Sequence, residues 1–444
     1  MGATVSWGQC LLEFEMRVLV GLMIAGSLSM PLSAKPLVTS SEDNVVRVCI
    51  MRNESPARLV SACDAALSQF GISAAQRVEL ISARGDGYLW MDEFEAAEES
   101  YREAIALDPN DTSAWNGLGW TLWEAEGDAP AYEAFETSLG IDVTVQALGG
   151  KAATGRRMGS FGGEEARSLL FAALAIDPDY IWAVREVGWS YLDDDMPAHA
   201  LEHFRTALDI EPDDVNAQYG LGRAHLAIGE TEQALEVFNS ALAISPSDFP
   251  TLVYRIIALR NLDRNAQALR EADRLIASHP TLSSGYIERG QALLALGRRE
   301  DAIDTLAKAD LALGPNNAVL YWYADALSSD GRFEEALEVI ERGLSLSGVD
   351  HSDHLLKSYI ALELGRYGVA HDAAEASLAT GVDDPWAHYY AAIALVNKGE
   401  VDQGLARFEQ AVEVGLPTDH VGAFAKELVG AGKYVEAAEL RLKY

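Results

Sequence analysis

One small residue returns at a fixed interval through most of this chain. Ala97, Ala131, Ala166, Ala200, Ala234, Ala268, Ala302, Ala336, Ala370, Gly404 and Ala437 are separated by 34 residues at every step but two, one of 35 and one of 33. A phase held this long constrains the fold more than any other feature. It describes a stacked array whose units each pack only on their neighbours. Such an array escapes the size limit of a single core, so 444 residues need not divide into several compact domains.

Other residues keep the same phase. Gly85 and Tyr88 precede Ala97, Tyr101, Ala104 and Pro109, and Trp115, Leu118, Gly119 and Leu122 precede Ala131 and Phe135. Gly188 and Tyr191 lead to Ala200, Phe204, Ala207 and Pro212; Leu221, Gly222 and His225 lead to Ala234, Phe238, Ala241 and Pro246. Apolar residues three and four apart predict two amphipathic helices per unit. Glycines such as Gly229, Gly297, Gly331, Gly365, Gly399 and Gly432 supply the turn between them, and a proline stops the second. This pattern resembles the tetratricopeptide repeat over about residues 78–444. The resemblance implies an all-α, right-handed superhelical solenoid of ten to eleven helix-turn-helix units.

Two places depart from the pattern. The third unit carries Gly149, Gly150, Gly155, Gly159, Gly162 and Gly163. Glycine costs about 1 kcal/mol per helix position, so the reading here is a short, bent or mobile first helix. The last unit runs to Tyr444, with Arg441 at an inward position.

Before the array, Arg17 is followed by an apolar run from Val18 to Leu28 and by small residues ending at Ala34. This reads as a secretory signal cleaved after Ala34, too short to span a membrane. Glu13 and Glu15 have the wrong sign for a signal, so residues 1–15 read as an over-extended start ahead of Met16. The expected organisation is thus a signal peptide at 1–34, a lead-in at 35–77 and the solenoid at 78–444, with export to the periplasm. Cys49 and Cys63 flank a helix start at Ser55 and Pro56. In an exported chain they are expected to form a disulfide, worth about 3 kcal/mol for a loop of this length. Free buried thiols and a redox pair are the alternatives. The helix from Pro56 to about Phe70 would cap the first repeat.

Formal net charge is −34. That field disfavours nucleic acid and anionic lipid, and no insertion of the mature chain into a membrane is expected. No phosphate-binding loop, nucleophile elbow or dinucleotide fingerprint occurs, so neither catalysis nor a cofactor is expected. His199 and His203 match an inverted zincin spacing, but Ala200 and Phe204 already serve the repeat and no third ligand is evident. The bland reading, outward-facing histidines, is preferred to a metal-dependent enzyme.

The resemblance implies a concave groove lined by the first helix of each unit. Its positions hold Asn116, Trp120, Trp123, Lys151, Trp182, Arg185, Trp189, Tyr219 and Arg223, and further on Arg260, Tyr321, Tyr359, Trp386 and Tyr389. Tryptophan, tyrosine and arginine are enriched at binding hot spots. The expected function is a protein-interaction scaffold holding an extended peptide or a helix in that groove, with Arg185 and Arg223 orienting carboxylates or carbonyls of the ligand. Envelope assembly through convex or terminal surfaces is the alternative. Aromatic padding between helices is the competing account of the same residues.

Overall fold

The computed structural model describes residues 41–444 except positions 53, 70 and 126, with side chains from Val45 onward. The expected signal segment lies outside these residues. Among the described residues there are 24 α-helices, a short 3-10 turn at Thr418–His420 and no strand. The chain divides into two units, one ending at Asp248 and one spanning Phe249–Tyr444.

The first unit opens with α1 (Ser41–Met51) and α2 (Pro56–Leu67), followed by five repeats. These are α3 (Ala74–Leu89) with α4 (Phe94–Leu107), α5 (Thr112–Glu124) with α6 (Asp128–Ile141), α7 (Val145–Arg157) with α8 (Gly163–Ile176), α9 (Ile181–Asp193) with α10 (Pro197–Ile210), and α11 (Val215–Ala227) with α12 (Thr231–Ile244). The second unit holds α13 (Phe249–Asn261) with α14 (Asn265–Ser278), α15 (Ser283–Ala295) with α16 (Arg299–Leu313), and α17 (Asn317–Ser329) with α18 (Phe333–Gly343). It continues with α19 (His351–Glu363) and α20 (Tyr367–Ala379), α21 (Pro385–Asn397) and α22 (Val401–Val414), and α23 (Val421–Gly430) and α24 (Tyr434–Lys443).

Local chemistry sets the helix ends. Asp111, Thr144, Asp214, Asn316 and Asp384 each accept from a backbone N–H two or three residues ahead, a cap worth about 1 kcal/mol. The proline corners are held from the next helix: Trp115 Nε1 donates to the Pro109 carbonyl at 2.9 Å, Gln218 Nε2 to Pro212 at 3.0 Å and Tyr286 Oη to Pro280 at 3.0 Å. In the turn inside ten of the repeats one described residue takes a left-handed conformation. Glycine fills it at Gly229, Gly297, Gly331, Gly365, Gly399 and Gly432, and Asp92, Asp195 and Asp263 adopt it in other repeats.

The periodic glycines and rings explain one another. In four repeats of the first unit the buried ring of the second helix sits in a notch on the first. A Cβ at Gly85 would come within 2.8 Å of Tyr101, one at Gly119 within 2.6 Å of Phe135, and one at Gly188 within 2.9 Å of Phe204; Phe238 fills the notch at Gly222. Three of these rings press equally on the following repeat, Tyr101 on Gly117, Phe135 on Gly150 and Phe204 on Gly220. One ring therefore binds its own hairpin and the next, which couples repeats that could not bury enough surface alone.

The third repeat corrects the expectation of a short or mobile helix. Its first helix, α7, is a regular run of thirteen residues. The glycines are notches: Trp182 fills the one at Gly149, Phe135 that at Gly150 and Phe161 that at Gly155. Their propensity cost is offset by buried aromatic area.

Two further expectations are refined at the ends. Cys49 and Cys63 are bonded, fully buried, with Cα atoms 4.9 Å apart. The partner of α2 is a helix that the sequence reading did not include, α1, and α2 ends at Leu67. Arg441 is exposed, not inward. Within each unit, first helices such as α3 and α5, α9 and α11, or α19 and α21 pack on one another, whereas successive second helices do not to that extent. The first helices thus form the inner side.

Candidate functional site

Four of the nine residues assigned to the inner face of the first unit are buried, between 2% and 7% exposed: Asn116, Trp123, Arg185 and Tyr219. Each has internal work to do. Asn116 Nδ2 donates to Thr144 Oγ1 at 3.0 Å, gripping the cap of α7. Trp123 lies under the Arg157 guanidinium, 4.6 Å from its ring, and meets Trp120 edge-on at 5.6 Å. Tyr219 packs on Trp189 at 5.5 Å. Arg185 Nη1 donates to Asp214 Oδ2 at 2.7 Å, both side chains almost fully buried. Asp214 also caps α11, so Arg185 clamps one repeat to the next. The sequence reading gave Arg185 to a ligand; the fold uses it inside.

The other five, Trp120, Lys151, Trp182, Trp189 and Arg223, are half-buried. Trp120 meets Trp182 edge-on at 5.1 Å, and Trp189 meets Phe204 at 4.9 Å. The Arg223 guanidinium lies 5.3 Å from the Trp189 ring and 5.8 Å from that of Tyr219. Lys151 Nζ donates to Glu136 at 3.0 Å. Glu186 is half-buried beside Arg156, 3.6 Å away; burial raises its carboxyl pKa while Arg156 and Arg185 pull it down. This face is aromatic with its charges largely matched. Of the cations expected on it, Arg185 is buried in an internal pair and Lys151 is tied to Glu136.

The second unit differs. Arg260 is engaged, its Nε donating to the buried Glu288 at 2.9 Å. Tyr389 is only 6% exposed, and the neighbouring Tyr390 takes its place on the half-buried face. Tyr390 lies 6.1 Å from Tyr359 and 6.1 Å from Trp386, ring to ring. One helical turn beyond Tyr321 stands Asp325. Among the described residues no hydrogen-bond donor and no cation meets its carboxylate. Burial pushes its pKa up to about 6. Besides burial, its negative charge raises the pKa of Tyr321 and of Tyr359, which places the three groups in one electrostatic neighbourhood. Asp325, an acid, lies outside a pattern of aromatic and basic residues. Its signal was the four-residue step from Tyr321. Tyr390 was missed by one position.

His199 and His203 stack on Tyr191 at 5.1 and 5.5 Å, and the Arg167 guanidinium lies 4.5 Å from the same ring. His203 is half-buried, and that burial lowers its pKa. No group of three His, Cys, Asp or Glu side chains able to hold a metal occurs among the described residues. No described helix is long and apolar enough to cross a membrane.

Comparison with known proteins agrees with this architecture. Models of the tetratricopeptide repeat match residues 82–139, 191–259, 287–349 and 355–419, more than half of the chain. The chain belongs to the tetratricopeptide repeat family, whose fold is that of a protein–protein interaction scaffold. Yeast Tom70 is similar in fold, with 12% identity over 90% of this chain and 95% of that one and a TM-score of 0.50. The Cut9–Hcn1 hetero-tetramer of the APC/C gives 12% identity, 91% and 86% coverage and a TM-score of 0.48. A tetratricopeptide repeat protein from Parabacteroides merdae gives 19%, 57% and 99%, and 0.44. No curated protein matches the chain.

Proposed function

We propose that this protein is an exported, non-catalytic scaffold that holds an extended peptide or a helix of another protein along the inner face of its first helices. The observation that carries the reading is the set of half-buried aromatics left on that face, Trp182 and Trp189 in the first unit and Tyr359, Trp386 and Tyr390 in the second. Large rings ordered by packing but open on one side lose little entropy on binding, which makes them effective anchors. Export to the periplasm, with cleavage after Ala34, is supported by the apolar run behind Arg17 and by the Cys49–Cys63 bond, since disulfides persist in oxidising compartments.

Site-specific photocrosslinking in the native host tests the binding face. A crosslinker at Arg223 or Tyr359, on first helices, should trap a defined protein. The same group at the exposed Phe171, on the second helix α8, should not. Crosslinks from Phe171 alone would move the interaction to the outer surface and favour assembly through convex contacts. N-terminal sequencing of the native protein should begin at Lys35; a chain that keeps residues 1–15 would end the export reading.

A further inference from the structure

We infer that the second unit recognises a lysine or arginine side chain on a basic segment of its protein partner, and that Asp325, framed by Tyr321, Tyr359 and Tyr390, receives it. The inference rests on the inner-face reading above and adds the chemistry of the partner.

The frame comes from three successive repeats. Asp325 and Tyr321 are on α17, Tyr359 on α19 and Tyr390 on α21. α17 packs on α19, and α19 on α21, and the charges of Asp325 and Tyr390 both act on Tyr321 while that of Asp325 acts on Tyr359. The Tyr359 and Tyr390 rings are 6.1 Å apart. Tyrosine faces attract cations within about 6 Å of the ring centroid, and a carboxylate among them supplies the counter-charge.

The other charges nearby do not neutralise Asp325. Asp350 and Asp353 are spent on capping α19, and Asp384 caps α21. Glu363 is exposed and adds negative charge beside Tyr359 and Tyr390. Lys357, on α19, is tied to Glu341 at 2.9 Å, and His351 lies 3.9 Å from Asp384. A desolvated carboxylate without a cation weighs against folding, and its raised pKa reports that cost. Such a group is a functional candidate when it stands among aromatics on a binding face. A guanidinium or ammonium from a partner provides what the chain lacks. The net charge of −34 would steer a basic segment toward this face.

The test is a fluorescence-anisotropy titration of the purified mature protein with a labelled peptide of alternating lysine and serine. It is run at physiological ionic strength, where the Debye length is about 8 Å and diffuse attraction is screened. Asp325→Asn should weaken binding about tenfold or more, because a desolvated charge pair loses one partner. Tyr359→Ala should weaken it roughly three- to tenfold through the lost ring. Glu334→Gln, which removes a charge from an exposed position of α18, should leave it unchanged, and a glutamate–serine peptide should not bind. Thermal melts of each variant separate lost binding from lost folding. Equal affinity of Asp325→Asn and Glu334→Gln for the lysine peptide, or no binding of that peptide at all, overturns the inference. Crosslinking through Tyr359 that persists in Asp325→Asn would show the inner-face reading standing while the cation reading falls.

Discussion

On α9, in the first unit, Arg185 reaches into the next repeat and meets Asp214 at 2.7 Å. On α17, in the second, Asp325 stands one helical turn further along, at the repeat position that Trp189 holds on α9, and among the described residues no donor or cation meets it. The first unit matches its inner charges internally, Lys151 with Glu136 and Arg156 with Glu186, and fills its glycine notches with rings. The second leaves a carboxylate among tyrosines without a counter-charge. One repeat architecture can therefore spend an inner-face residue on joining repeats or reserve it for a partner.

The comparison is broken most forcefully at Arg185. Arg185→Ala strands Asp214 in a buried site, and breaking a buried pair by removing one partner costs about 3–5 kcal/mol. Urea denaturation should show the loss. A variant of wild-type stability would mean that Arg185 does not clamp the repeats and would return it to the binding face.

Glycine 150 separates packing from flexibility by sign. In an open helix Gly150→Ala should stabilise by up to about 1 kcal/mol. With the Phe135 ring in the notch, overpacking should instead destabilise by about 1–3 kcal/mol. A raised melting temperature would restore the mobile helix that the sequence first suggested.

Asp325→Asn sharpens the other side. Its folded pKa, about 6, lies above the ordinary 3.8, so its contribution to stability is present below 3.8 and is lost as pH rises through 6. At pH 7 the ionised form opposes folding by roughly 1–3 kcal/mol. Asparagine should therefore raise the melting temperature at pH 7 and give no gain at pH 4. A lower melting temperature at pH 7 would mean that the carboxylate is already paired within the fold.

Much of this was legible in the sequence for physical reasons. The period, the two helices per unit and the glycine turns follow from residues that only close helix packing requires, and Cys49 and Cys63 were readable as a pair. The inner face was less so. Counting positions located Trp182, Tyr321 and Tyr359 but could not tell a spent cation from an available one, because Asp214 lies 29 residues from Arg185 and finds it only through stacking. The glycines of α7 misled because propensity is local, while the rings that fill their notches come from α6, α9 and the turn before α8. Helix α1 lacked the repeat's signature and went unseen.

The smallest expected effect uses the opposite pH slopes of the two units. His203, stacked on Tyr191, has a pKa lowered by burial, partly offset by Glu202 and reinforced by His199. A histidine depressed in the folded state contributes stability above its unfolded value near 6.5, and loses it as pH falls, since the unfolded chain then binds more protons. Asp325 acts in reverse between about 4 and 6. Melting temperatures measured from pH 4 to pH 8 should therefore diverge from wild type in opposite ways. His203→Gln should narrow the loss seen on acidification, whereas Asp325→Asn should remove part of the loss seen as pH rises toward 7. If the His203→Gln and wild-type curves stay parallel across that range, the imidazole is not desolvated by its stack, and the contrast in titration between the units rests on Asp325 alone.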